Sequence, residues 1–150
     1  MKIAIGCDQF AYDLKMIVVK HLESKGHQIV DYGCKEGEEV LYPNVALAVA
    51  EDVAAGKFER AILICGTGIG MSIVANKVPG VRAACCHDVY SAQRARKSND
   101  AHIMTLGSEI VGYALARELV DAWMDSEFAG GRSKPKVELI DEIDKKYKNK

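Results

Sequence analysis

A chain of 150 residues, 49% hydrophobic and 27% charged, is the size of one domain and hides roughly 70% of its unfolded surface on folding. Its net charge of -1 offers no global attraction to nucleic acid or an anionic membrane, and no apolar run reaches the ~20 residues of a membrane span. The opening MKIAIGCD lacks a secretory signal's apolar region, and Cys7, Cys34, Cys65, Cys85 and Cys86 form an odd set without framework or metal-ligand spacing, so a cytoplasmic protein with reduced thiols and no metal is the expectation.

In chain order, Lys2–Gly6 reads as a strand, followed by a helix to Lys25. Leu14, Ile17, Val18, His21 and Leu22 recur at three-to-four spacing along that helix, and Gly26 stands at its C-terminal stop. Gln28–Tyr32 is the second strand, residues 33–42 a loop, and Pro43 starts a helix at a position proline tolerates. The third strand, Arg60–Cys65, is the most apolar; a glycine-rich turn and a short helix to about Lys77 follow it. Val81–Cys85 is the fourth strand, Asp88 or Ser91 caps a helix to Lys97, His102–Leu106 is the fifth strand, and a last core helix covers 112–126.

Five β-then-α units predict an α/β fold of three layers, a doubly wound, Rossmann-like five-stranded parallel sheet in a domain over 1–132. Residues 133–150 form a charged tail, expected to be helical through Val137, Ile140 and Ile143 and to pack on a partner subunit or the domain edge. Ligands of such sheets bind beyond the carboxyl ends of the strands. That rule selects Asp8, Gln9, the segment Cys65–Ser72, His87, Asp88 and Gly107–Glu109.

Within that selection CGTGIGMS at 65–72 is the strongest local signal. Its alternate glycines permit a tight turn with exposed amides, at the start of a helix that favours negative charge. A dinucleotide fingerprint would need glycine where Met71 stands, although Asp88 lies at the spacing expected of its acidic residue. Cys65 at the strand end is either a buried small hydrophobe or a thiolate stabilised by those amides, able to take a proton from carbon.

Taken together, GCD at 6–8, ILICGTGIGMSI at 62–73, ANKVPGVRAA at 75–84, SND at 98–100 and GGR at 130–132 resemble the ribose-5-phosphate isomerase type B family, which also holds galactose-6-phosphate and tetrulose-phosphate isomerases. The resemblance implies an aldose–ketose isomerase of a small phosphorylated sugar. It also implies a homodimer or tetramer with shared active sites and no cofactor. By the same resemblance Cys65 is the base and Thr67 assists proton traffic. Amides of Gly66, Gly68, Ile69 and Gly70, with Asn99 of the neighbouring subunit, form an anion hole. Asp8 holds sugar hydroxyls and Arg132 the phosphate. Blander roles stand beside these: Asp8 as a helix N-cap, Asn99 as a C-cap, Arg132 as a solvated cation, Thr67 bonded to its own turn.

Three positions depart from the family pattern. Ser98 and Gln9 stand where many members carry histidine, and Lys136 stands for a second phosphate-binding arginine. The histidine replaced by Ser98 opens the sugar ring in the pentose members, and serine is a poor acid or base near neutral pH. An aldotetrose 4-phosphate has no furanose form, so a tetrose or tetrulose 4-phosphate substrate needs no such group. A pentose 5-phosphate remains the leading reading, with His87 as a substitute acid or base; a hexose 6-phosphate isomerase and a non-catalytic sugar-phosphate or nucleotide-binding module are more remote.

Overall fold

The computed structural model describes residues 1–148; the last two residues of the expected tail lie outside them. Strands β1 (Lys2–Cys7), β2 (Gln28–Asp31), β3 (Arg60–Cys65), β4 (Ala83–Cys85) and β5 (Ile103–Gly107) form one parallel sheet in the order β2-β1-β3-β5-β4. Helices α1 (Tyr12–Ser24), α4 (Val89–Lys97) and α5 (Tyr113–Met124) cover one face, and α2 (Tyr42–Ala54) and α3 (Ile69–Ala75) the other. The pleat sorts neighbouring residues between these layers. Ile62 and Ile64 of β3 join the α1–α5 core, while Ala61, Leu63 and Cys65 join the α2–α3 core. Every residue of β3 is therefore buried, which is why its sequence after Arg60 is a continuous apolar run.

Neighbouring strands β1 and β3 send their chains to opposite faces, β1 into α1 and β3 into α3. Their carboxyl ends consequently part and leave a crevice, the switch point where ligands of open α/β sheets bind. Cys7 pairs with Ile64 in register, and Cys65 with Gly107 of β5, so the turns after β1, β3 and β5 lie side by side.

Hydrogen bonds shift the start of the fourth strand from the sequence reading and select one of the two caps offered for α4. The fourth strand starts at Ala83 rather than Val81. The Val81 amide closes a turn onto the Val78 carbonyl, and the Arg82 amide donates to the His102 ring at 3.1 Å. Asp88, not Ser91, caps α4. Its carboxylate takes both the Ser91 amide and the Ser91 hydroxyl at 2.7 Å, and these bonds hold it below the usual carboxylate range. Arg60, at the amino end of β3, is fully buried. Its guanidinium donates to the carbonyls of Trp123, Met124 and Ser126, closing the C-terminus of α5.

After a 3-10 turn at Gly131–Ser133, helix α6 (Lys134–Lys148) lies along the start of β4. Asp144 accepts the Gly80 amide at 2.6 Å, Asp141 the Arg82 guanidinium at 2.5 Å, and Lys148 reaches the Asn76 carbonyl. Val137 is buried, whereas Leu139, Ile140, Ile143 and Tyr147 leave an apolar stripe exposed.

Candidate active site at the sheet switch point

Cys65 ends β3 with 5% of its surface exposed, and the Gly68 amide donates to its sulfur at 3.1 Å. The sulfur is thus turned into the loop that follows it. Gly68 sits at φ +77°, in the left-handed region, and a Cβ there would come within 2.8 Å of the Leu106 backbone. Gly107 is as tightly placed, since a Cβ on it would meet the Thr67 backbone at 2.6 Å. Backbone bonds from Ser108 to the Cys65 carbonyl (2.8 Å) and from Glu109 to the Gly66 carbonyl (3.0 Å) join the two turns.

Two residues that the sequence reading did not single out complete this construction. The Thr105 hydroxyl, fully buried in β5, donates to the Gly68 carbonyl at 2.8 Å. The Tyr42 phenol rests on Gly70, where a Cβ would lie 2.4 Å from its oxygen. A threonine in an apolar strand and a tyrosine before a helix-starting proline were the available signals. Both roles depend on contacts far along the chain.

Around this turn stand Asp8, Gln9 and His87. Asp8 is 5% exposed and does cap the short helical turn after β1, its carboxylate accepting the Phe10 amide at 3.1 Å. Burial pushes its carboxyl up, against the opposing effect of the Phe10 and Ala11 amides. Gln9 accepts the Val40 amide at 3.1 Å and so ties down the end of the 33–41 loop. His87 accepts the Gly107 amide on Nε2 at 3.0 Å. With Nε2 accepting, the ring's N–H is on Nδ1. Thr67 accepts the Ile69 amide at 3.3 Å, bonding within its own turn.

Cys7 and Cys34 place their sulfurs 3.9 Å apart in the core, and burial raises the Cys7 thiol. Burial also pushes Cys86 up to about 12 and raises Cys85, whose sulfur lies against the Thr67 carbonyl. A cleft of about 470 Å³ is lined by Tyr12, Lys15, Asp31 and Cys34 beside β1 and β2, but by none of the residues around Cys65. Among the described residues no group of three or more His, Cys, Asp or Glu is arranged to hold a metal, and no helix is long and apolar enough to cross a membrane.

The remaining sequence-selected residues lie at the opposite end of the sheet. Ser98 and Asn99 follow α4 and lead into the amino end of β5. Arg132 lies in the 3-10 turn and Lys136 in the first turn of α6, reached from the end of α5 that Arg60 closes. Both cations are exposed. The Ser98 hydroxyl accepts from the Arg94 guanidinium, at 2.8 Å from Nε and also from Nη2. One chain therefore brings Asp8, Gln9, Cys65, Gly66–Gly70 and His87 together, and holds Ser98, Asn99, Arg132 and Lys136 apart from them.

Comparison with known proteins agrees with this architecture. The Ribose/Galactose Isomerase family pattern matches residues 3–140. A ribose-5-P isomerase B of Listeria innocua is 56% identical over 97% of this chain and 99% of its own. A D-erythrulose-4-phosphate isomerase of Pectobacterium atrosepticum is 54% identical over 93% of each. The solved structure of Clostridium thermocellum ribose-5-phosphate isomerase B superposes with a TM-score of 0.95 at 48% identity, covering 98% of this chain and 99% of that one.

Proposed function

The chain belongs to the ribose/galactose isomerase family and is a sugar-phosphate aldose–ketose isomerase, and from that premise we propose that Cys65 is its base, acting through a cis-enediolate. The observation that carries this reading is the Gly68 amide aimed at the Cys65 sulfur at 3.1 Å. That bond holds the sulfur over the loop whose amides receive the substrate oxygen in this reading. Helix α3 has only seven residues, so local N–H donors rather than a long helix dipole supply the field.

In the open-chain aldose the thiolate removes the proton on C2, and the electron pair moves onto the C1 carbonyl oxygen. The Gly68 and Ile69 amides are committed to the sulfur and to Thr67. That of Gly70, in the first turn of α3, faces the developing oxyanion, because the first amides of a helix lack internal partners. A proton passes from O2 to O1 with Thr67 assisting, and the thiol returns its proton to C1. The electrons stay within the substrate, so the reaction calls for no redox cofactor. Asp8 and Gln9 hold sugar hydroxyls, and Gly66 lets the substrate approach the backbone.

The same site takes Asn99, Arg132 and Lys136 from a second copy of the chain, Asn99 completing the anion hole and the two cations binding phosphate. The split of these residues between the two ends of one chain supports a homodimer with shared sites, and the exposed stripe on α6 supports its packing on that partner. Two such dimers make the tetramer, and the protein works in the cytoplasm.

A pentose 5-phosphate is the leading substrate, with the His87 Nδ1–H as the group that opens the ring. A second reading, a tetrose or tetrulose 4-phosphate, rests on Ser98: its hydroxyl is held by Arg94 at the position of the family's ring-opening histidine.

The test of the base is Cys65→Ala. We expect isomerisation to fall by about 10²–10⁴-fold or more while inorganic phosphate still binds; undiminished turnover rejects Cys65. Mixing the inactive Cys65→Ala and Asn99→Ala chains tests the shared site. One intact site in the mixed half of the dimers restores roughly a quarter of wild-type activity, and no recovery rejects sharing. Turnover of ribose 5-phosphate against erythrose 4-phosphate decides between the substrates.

A further inference from the structure

Among the side chains at the amino end of the sheet, Arg82 spans two segments that the chain keeps apart. Arg82 precedes β4 and its side chain is 16% exposed. Its guanidinium holds two separate segments at once. Towards the turn after α4, Nε donates to the carbonyls of Asn99 (3.1 Å) and Asp100 (3.2 Å), and Nη2 to Asp100 Oδ2 (3.2 Å). Towards α6, Nη1 donates to Asp141 Oδ1 at 2.5 Å.

The turn held in this way is strained. Asp100 has φ +47° and is, among the described residues, the non-glycine in the left-handed region. Such a conformation costs about 1–2 kcal/mol and persists only where its surroundings over-determine it. Here two arginines grip opposite oxygens of one carboxylate: Arg96 holds Oδ1 at 3.1 Å while Arg82 holds Oδ2. The residue displayed by this turn is Asn99, which is exposed and whose side chain bonds to none of the described residues. Strain locked in place beside an outward-facing amide is the pattern of a presented functional group.

We propose that Arg82 is a positioning residue: it locks the Asn99 turn to helix α6, so that the anion-hole amide and the Lys136 and Arg132 cations are presented to a second copy's Cys65 as one rigid unit. This rests on the shared site proposed above. Only a forked cation meets the requirement. The guanidinium faces three carbonyl or carboxylate groups on one side and Asp141 on the other, whereas an ammonium on a flexible stem holds one side at a time. The other ties of α6, Asp144 with the Gly80 amide and Lys148 with the Asn76 carbonyl, fix the helix without touching the Asn99 turn.

Two variants separate the arms of the clamp. Asp141→Asn weakens only the α6 arm of the clamp, while Asp144 and Lys148 still tether the far end of the helix. It is expected to raise the KM for ribose 5-phosphate and the inhibition constant of inorganic phosphate together, by roughly five- to tenfold, with kcat within about twofold. Arg82→Lys keeps the charge but loses the fork. It is expected to lower kcat by roughly tenfold or more in addition to the KM effect, as misplaced groups do. The effects of the two substitutions on KM are expected to be non-additive, since they break the same contact. Arg132→Ala is measured in parallel. If it weakens phosphate inhibition and Asp141→Asn does not, the Arg82 proposal is overturned while the shared site stands. If Arg132→Ala also leaves phosphate inhibition unchanged, the assignment of the phosphate site fails and the proposal with it. A fall in Tm for either Arg82→Lys or Asp141→Asn without a change in kcat or KM reduces Arg82 to a purely structural role.

Discussion

The two ends of the sheet reach precision by different physical means. At the carboxyl end, the Cys65 turn is shaped by backbone. Glycines at 68 and 107 let β3 and β5 close on each other, and amide–carbonyl bonds and the Thr105 hydroxyl join them. At the amino end, the Asn99 turn and α6 are held by charged side chains, Arg82, Arg96, Asp100, Asp141 and Asp144. Backbone bonds inherit their geometry from the sheet and are indifferent to pH, whereas ion pairs respond to pH. In the proposed reading, the base Cys65 thus stands on the backbone-built frame and the phosphate-binding cations on the ion-paired one.

That contrast can be broken most severely at Gly68. Gly68→Ala forces a side chain into the left-handed region and against the Leu106 backbone. A loss of about 2–4 kcal/mol in denaturant unfolding and near-abolition of turnover are expected. Wild-type turnover in a folded Gly68→Ala variant shows that backbone closure does not hold the sulfur in place.

Thr105→Val is milder. It removes one of two donors to the buried Gly68 carbonyl, which keeps the Ser72 amide, a cost of about 0.5–1.5 kcal/mol. Turnover should drop roughly tenfold as the turn relaxes, with the fold retained by circular dichroism. A loss of stability with unchanged kcat separates the hydroxyl from the geometry of the turn.

Acid sharpens the comparison at the other end. Burial pushes the Asp144 carboxyl up, but bonds from Lys148 and the Gly80 amide outweigh it and hold the group below its ordinary 3.8. A lowered carboxylate stabilises the fold fully above that ordinary value and loses the contribution as pH falls through the lower folded one. Amide hydrogen exchange should therefore show α6 opening below about pH 3.8 while β3 and the Cys65 turn stay protected. Simultaneous opening of both ends would dissolve the distinction. The smallest effect is expected of Ser98→His, a few-fold gain on ribose 5-phosphate with no gain on a tetrose 4-phosphate; equal changes on both reject a ring-opening role at that position.

Sequence alone determined the doubly wound sheet and its crevice. The apolar run Ile62–Cys65 is readable because strands covered on both faces alternate nothing, and the glycines after it are readable because few other residues turn so tightly. The place of Cys65 at a strand's carboxyl end marks it without reference to any contact. Tertiary structure alone decided the rest. Thr105 reaches Gly68 across 37 positions and Arg82 reaches Asp141 across 59, and periodicity carries no information about partners so remote. It decided between Asp88 and Ser91 as the cap of α4, and it moved the start of β4 once the Arg82 amide turned to His102. It also showed that Ser98, Asn99, Arg132 and Lys136 stand at the far end of the sheet from Cys65. The physical reason is common to all of these: local pattern reports which face of an element is apolar, whereas the partner of a polar side chain is chosen only when distant segments pack together.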